Sequence, residues 1–300
     1  AATVTKPRQS AIASTAERLC ADDIPSVEPA RFTQPPLSTT SASRNTPDGI
    51  RSTATPGVKR GLVTRRRLLL LSNSATAGRS YLEHALVSIG EFLASEPGTV
   101  LFVPYAAVRF GYDEYTDKVR PVLNGLGYDV RSIDQSPDPV AAIREAEAIA
   151  IGGGNTFRLV ERLQHLGLIE PLRQRIAEGL PYIGWSAGSN IASPTLRTTN
   201  DMPIIEPRSF ETLSAVPFQI NPHYLDAHPD GHMGETREER IQEFLVINPN
   251  IWVVGLREGT SLRIEVDTVQ LIGDRPARVF KHGQEAREVE PGEPLDYLLR

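Results

Sequence analysis

The sequence predicts an α/β fold, with a mostly parallel sheet wound by helices on both faces, and three observations carry that expectation. Apolar runs in RLLLLSNS, TVLFVPYA, AIAIGGG and PYIGWSA alternate with stretches of helical periodicity, the pattern of parallel strands joined through helices. Two of these runs end in small residues, Gly152-Gly153-Gly154 and Gly184-Trp185-Ser186-Ala187-Gly188, and a helical start follows each. The region from about Arg66 onward is also long enough for one α/β core.

Taken in order, residues 1–65 are rich in Ser, Thr, Ala, Pro and Arg and hold few large apolar side chains. Such a stretch cannot bury enough surface to offset chain entropy, so a disordered low-complexity extension is expected before a single domain over residues 66–300. The chain starts without Met and lacks the apolar core of a secretory signal. Its basic excess leaves a transit segment open, but Asp22, Asp23 and Glu28 argue against one. A long solvated extension, or a start codon placed too far upstream, is the preferred account.

Beyond it, YLEHALVSIGEFL and RLVERLQHLG read as amphipathic helices, which makes His84 and His165 packing or solvated residues. In AIAIGGGNTFRLV a strand ends at the glycines, and Asn155 and Thr156 are helix-start residues. FQINPHYL is a short apolar strand stopped by Pro222, with His223 just beyond. TREER reads as a helix start, Ile251 to Leu256 as a strand followed by Glu258 and Gly259, and His282 in KHGQ as part of a turn.

The centre of interest is the G-x-S-x-G around Ser186. A serine is exposed on a tight strand-to-helix turn only if both flanks are small, because a side chain at Gly184 or Gly188 would meet neighbouring backbone. The same spacing also serves ordinary turns, so the context has to decide. Consecutive glycines leave backbone N–H groups open to an anion, yet neither dinucleotide nor P-loop spacing can be read across Gly152 to Gly154. The better assignment is an oxyanion hole made by Gly153 or Gly154 together with the Ala187 N–H.

A serine hydroxyl needs a base. Of the six histidines, His223 is preferred because it follows a strand, and catalytic groups of open α/β sheets gather at the carboxyl ends of strands. His228 and His232 follow in HPDGH and invite a metal reading, but Pro229, Asp230 and Gly231 break the segment and no cysteine is near. No metal and no cofactor are expected. For the acid that orients the imidazole, Asp201, Glu235 and Glu258 are candidates, and Glu258 alone repeats the strand-end placement of Ser186 and His223. The order Ser, His, Glu disfavours the α/β-hydrolase fold, in which the acid precedes the histidine.

Composition narrows the partners. A net charge of −5 without a basic stripe gives no case for nucleic acid. Leu68 to Leu71, as long as any purely apolar run in the chain, is too short to span a bilayer, so no membrane partner is expected. The single cysteine, Cys20, allows no internal disulfide and makes a reducing cytoplasm the simplest location.

From Arg66 to about Gln284 the chain resembles peptidase E, the α-aspartyl dipeptidase family, which is related in fold to class I glutamine amidotransferases. The segments that carry the resemblance are LLLLSNS, FVPYA, GYDEYTDK, IGGGNTF, YIGWSAGSN, RTTNDMPI, QINPHY, GHMGETREER and VVGLREG. The resemblance implies a serine dipeptidase whose Ser-His-Glu triad falls on Ser186, His223 and Glu258. It also implies substrates, dipeptides and a few short peptides, with an unblocked N-terminal aspartate. Such a substrate asks for a cation, Arg197 or Arg237, for its side-chain carboxylate, and for an anion, Asp201, for its α-amine. Asn155, beside the glycine turn, is a further substrate-binding candidate. Two departures stand out, Arg257 in place of the more usual proline before the acid and Ser189 in place of alanine after the elbow. The alternatives are a cyanophycinase-like or isoaspartyl peptidase and, from a different class, an inactive amidotransferase-like binding module. A homodimer is left open.

Overall fold

Residues 65–93, 98–226 and 233–300 are described in the computed structural model. The expected disordered extension falls, but for Arg65, outside these residues. Five strands run parallel in the order β3 (Asp129–Ser132), β2 (Thr99–Val103), β4 (Ile149–Ile151), β5 (Tyr182–Trp185), β1 (Arg67–Leu71). β8 (Ser261–Glu265) and β9 (Thr268–Ile272) extend the sheet antiparallel beyond β1.

The reason such strands read as unbroken apolar runs lies in their two-sided burial. Side chains alternate across a strand, and in β1 Leu68 and Leu70 enter one core while Leu69 and Leu71 enter the other. The first core receives Ile143 of α3 (Pro139–Glu145), Leu159 and Leu163 of α4 (Thr156–His165), and Leu172 and Ile176 of α5 (Ile169–Glu178). The second receives Ile89 and Phe92 of α1 (Leu86–Leu93) and Tyr115, Val119 and Leu123 of α2 (Tyr112–Gly125). The sheet is therefore covered by helices on both faces, as the alternating pattern predicts.

A smaller sheet, which the sequence reading had not separated, is ordered β11 (Arg287–Val289), β10 (Ala277–Lys281), β7 (Trp252–Gly255), β6 (Gln219–Asn221). Its β6 and β7 are parallel, with Asn221 opposite Gly255, so the chain leaves both strands at the same level and in the same direction. That register sets the turn carrying His223 beside the turn carrying Glu258. Gly255 is required here, because a Cβ on it would lie 2.6 Å from the Tyr224 ring. α7 (Arg237–Ile247) packs Ile241 and Leu245 with Tyr224, Val253 and Phe280 of this sheet. It starts at Thr236 with a capping box closed by Glu239, which accounts for the helix start in TREER.

Candidate active site

Ser186 sits at the end of β5, before the short helix α6 (Ala187–Asn190), with φ 53° and ψ −110°. A residue with a side chain pays strain for a positive φ, and such strain survives only where the surroundings over-determine it. Here they do. A Cβ on Gly184 would lie 2.6 Å from the Gly188 carbonyl, and one on Gly188 only 2.2 Å from the Ile151 carbonyl oxygen. The Tyr182 hydroxyl donates to the Gly188 carbonyl (2.6 Å) and the Ser186 N–H to Leu71 (3.1 Å), pinning the elbow to its own strand and to β1. Ser189 is absorbed without cost, since its buried hydroxyl lies 2.6 Å from the Leu71 carbonyl and 2.9 Å from that of Gly184.

The glycine turn after β4 faces this elbow. A Cβ on Gly153 would stand 3.0 Å from the Ser186 Cβ, and one on Gly154, at φ 138°, only 2.2 Å from the Ala106 carbonyl oxygen. The N–H groups of Gly152 and Asn155, which bracket the turn, donate to Val103 and Ala106. Those of Gly153, Gly154 and Ala187 have no hydrogen-bond partner among the described residues. They remain available for an anion. Tyr115 fixes the turn from behind: its hydroxyl donates to the Gly153 carbonyl (2.9 Å) and accepts from the Trp185 indole (3.0 Å). Burial holds this phenol well above its ordinary pKa, so it stays a donor at any working pH.

His223 completes the constellation. Its Nε2 is 2.9 Å from the Ser186 Oγ and its Nδ1 2.7 Å from the Glu258 Oε1. The carboxylate selects the tautomer with the proton on Nδ1, leaving Nε2 to accept from the serine. His223 too has a positive φ, 54°, and the turn is held by a residue far away in sequence. The His223 N–H donates to the Ser72 hydroxyl (2.9 Å), which donates to the Leu256 carbonyl (2.8 Å). Next to it, the Asn73 Oδ1 accepts from the Gly259 N–H (2.9 Å). Sequence reasoning did not single out Ser72, Asn73 or Tyr115. The first two carried a signal, being polar residues directly behind a buried strand; Tyr115 looks like any apolar-face residue of α2.

The other candidates separate. Glu235 is exposed and pairs with Arg240 (3.6 Å), away from the imidazole. Asn155 and Asp201, expected at the substrate, both cap α4: the Asn155 Oδ1 accepts from Arg158 (3.0 Å) and its Nδ2 donates to the Met202 carbonyl (2.9 Å). The Asp201 Oδ2 accepts from the Thr156 N–H and hydroxyl, both at 2.7 Å. Any substrate role shares these side chains with the cap, since the first turn of a helix presents unpaired N–H groups that draw in nearby oxygens.

Arg197 is exposed and lies over the Phe210 ring (5.8 Å), with no contact to Ser186 or His223. Arg237 is different. Its Nη1 donates to the Asn200 Oδ1, while Asn200 donates to the Pro222 carbonyl (2.7 Å), next to His223. No carboxylate pairs with it among the described residues, its Nε is buried without a partner, and burial lowers its pKa. His165 and His282 are exposed. His84 lies in a short 3-10 turn ahead of α1 rather than in the helix, its ring nitrogens buried and unpartnered. His228 and His232 lie outside the described residues.

No helix among the described residues is long and apolar enough to cross a membrane. A family model, peptidase family S51, matches residues 68–272. Peptidase E of Streptomyces coelicolor is 53% identical over 233 residues, covering 77% of this chain and 94% of the relative. Peptidase E of Nostoc sp. is 50% identical over 234 residues, covering 78% and 97%. In fold, the chain is similar to the crystal structure of a peptidase from an acI-B1 Actinobacterium, with a TM-score of 0.56 at 18% identity over 77% of this chain and 96% of that one. With a serine elbow in the matched region and relatives alike over nearly their whole length, the chain belongs to peptidase family S51 and is a serine dipeptidase of that family.

Proposed function

We propose that the protein hydrolyses Asp-X dipeptides with a free N-terminal aspartate, using Ser186 as nucleophile, His223 as general base and acid, and Glu258 as the group that orients the imidazole. The observation that carries this reading is the continuous chain from the Ser186 Oγ through both His223 nitrogens to Glu258, at 2.9 and 2.7 Å, facing a glycine turn with unused N–H groups. Ser186 attacks the peptide carbonyl as its proton passes to Nε2. The charge that develops on the carbonyl oxygen rests against the N–H groups of Ala187 and of Gly153 or Gly154. His223 then gives the proton to the leaving amine, and a water molecule activated by the same nitrogen releases aspartate from the acyl-enzyme.

Specificity is assigned to Arg237 ahead of Arg197. A half-buried guanidinium without a carboxylate, tied through Asn200 to the turn of the base, suits the aspartyl side chain, whereas an exposed one on a phenylalanine ring does not. Asp201 is the acid proposed for the α-amine, at the start of α4 that it caps together with Asn155 and with its Oδ2 already engaged by Thr156. A small peptide is then the only partner the mechanism requires, and the single cysteine favours the cytoplasm. The deciding experiment is a panel of Asp-X, isoAsp-X and X-Asp dipeptides with purified protein. Release of aspartate from Asp-X alone is expected; preferential cleavage of isoAsp-X would replace this reading with the isoaspartyl alternative.

A further inference from the structure

Glu258 is 46% exposed and, among the described residues, His223 is the only side chain it bonds. A long carboxylate at the surface would wander over several rotamers, so its place against the imidazole has to come from its backbone. The residue before it supplies a means. Arg257 has a side chain only 7% exposed, wedged between the turns of base and acid. Its Nε donates to the Asp226 Oδ2 (2.7 Å) and its Nη2 to Oδ1 of the same carboxylate. Nη1 and Nη2 grip Glu288 on β11 (2.7 and 2.9 Å), and Nη1 also reaches the Pro276 carbonyl (2.6 Å). The guanidinium lies 5.5 Å from the centre of the Tyr224 ring, one residue after His223. Its own carbonyl is held by the Thr260 hydroxyl (2.7 Å).

The cluster extends further: Arg278 donates to Glu288 (2.9 Å) and reaches Glu238 (3.2 Å), so two guanidinium groups meet three carboxylates and each carboxylate has a cationic partner. Two bidentate pairs from one planar fork fix direction as well as distance, which a lysine would not do. Asp226 stands three residues after His223, and Arg257 stands one before Glu258. One side chain therefore ties the base turn, the acid turn and the small sheet into a single unit.

We propose that Arg257 is a positioning residue for the hydrolysis, a clamp whose jaws are Asp226 and Glu288 and whose effect is to hold the Glu258 carboxylate on the His223 Nδ1. The inference rests on the triad reading, and the experiment keeps the two apart.

The test is steady-state hydrolysis of Asp-Leu by R257M, R257K, D226N, E258Q and the double variant R257M/E258Q, with kcat and KM determined separately. For R257M, kcat should fall on the order of 10- to 100-fold with KM nearly unchanged, the scale of a misplaced catalytic group. R257K should recover part of the loss, and R257M/E258Q should be no slower than E258Q, since the clamp acts through Glu258. Losses that multiply in the double variant, or an unchanged kcat while only the melting temperature falls, would overturn the proposal. Should R257M fail to fold, D226N, which leaves the arginine on Glu288, must show a fall in kcat with KM nearly unchanged or the proposal falls. An E258Q enzyme with undiminished kcat would instead bring down the triad reading itself.

Discussion

At the scale of single residues, the site is an alignment of three side chains that gain their roles from position more than from type. Ser186→Ala removes the Oγ while keeping the Cβ that packs on Gly153, so the fold should persist and turnover of Asp-Leu should drop below about one per cent, what remains being transition-state binding without a nucleophile. Circular dichroism and a steady-state assay check both halves. Activity well above that level would remove Ser186 from the reaction. Arg237 is the second residue whose chemistry is open to direct measurement. Arg237→Met should cost about 2–4 kcal/mol in kcat/KM for Asp-Leu, the range for a buried charge that loses its partner, and much less for Asn-Leu. Asparagine has nearly the shape of aspartate without the charge, so equal losses on both substrates would show that Arg237 does not read the carboxylate.

At the scale of elements, two connections govern the geometry: the elbow between β5 and α6, and the paired exits from β6 and β7. The elbow tolerates no Cβ at Gly188, which would press to 2.2 Å from the Ile151 carbonyl oxygen. Gly188→Ala should therefore destabilise the protein by more than about 2 kcal/mol in urea unfolding, as over-packing against rigid backbone does, and should abolish activity by shifting Ser186. A neutral result would mean that α6 can move away from β4. At the paired exits, the Arg257 hydrogen bonds hold the Asp226 and Glu288 carboxyls below their ordinary values of 3.8 and 4.5. A carboxylate with a depressed pKa contributes stability above its unfolded pKa and loses it as pH falls. The stability gap between the natural protein and R257M should thus be constant above about pH 5 and narrow as the pH drops through 4.5 and below, in urea titrations at stepped pH. A gap that widens with acid would contradict the assignment of these pairs.

At the scale of the molecule, the two sheets share one core and the site lies where they meet. Leu68 and Leu70 of the large sheet are buried with Ile220, Val254 and Val279 of the small one, so Ser186 and the His223–Glu258 pair are registered by packing as well as by hydrogen bonds. Residues 1–60 hold few large apolar side chains. Deleting residues 1–60 should leave kcat/KM and the melting temperature essentially unchanged, because a segment without apolar anchors adds little to a core. A fall of several degrees on scanning calorimetry would show that the segment packs on the domain.

What the sequence determined alone was whatever depends on neighbours in the chain. Alternation marked the doubly buried strands, small residues marked the elbow and the glycine turn, and the position of a polar residue just past an apolar run pointed to Ser186, His223 and Glu258. Tertiary structure decided the rest: that β6 and β7 form a sheet of their own, that Ser72, 151 positions from His223, supports its turn, that Tyr115 locks the glycine turn, and that Asn155 and Asp201 cap α4. It also set Arg237 against Asn200, Arg197 over the Phe210 ring, and Arg257 between Asp226 and Glu288. Local sterics and periodicity act over a few residues and leave their trace in order and spacing. A hydrogen bond between distant segments leaves no such trace, because any serine, tyrosine or arginine satisfies the local pattern and only the folded chain selects the one that finds its partner.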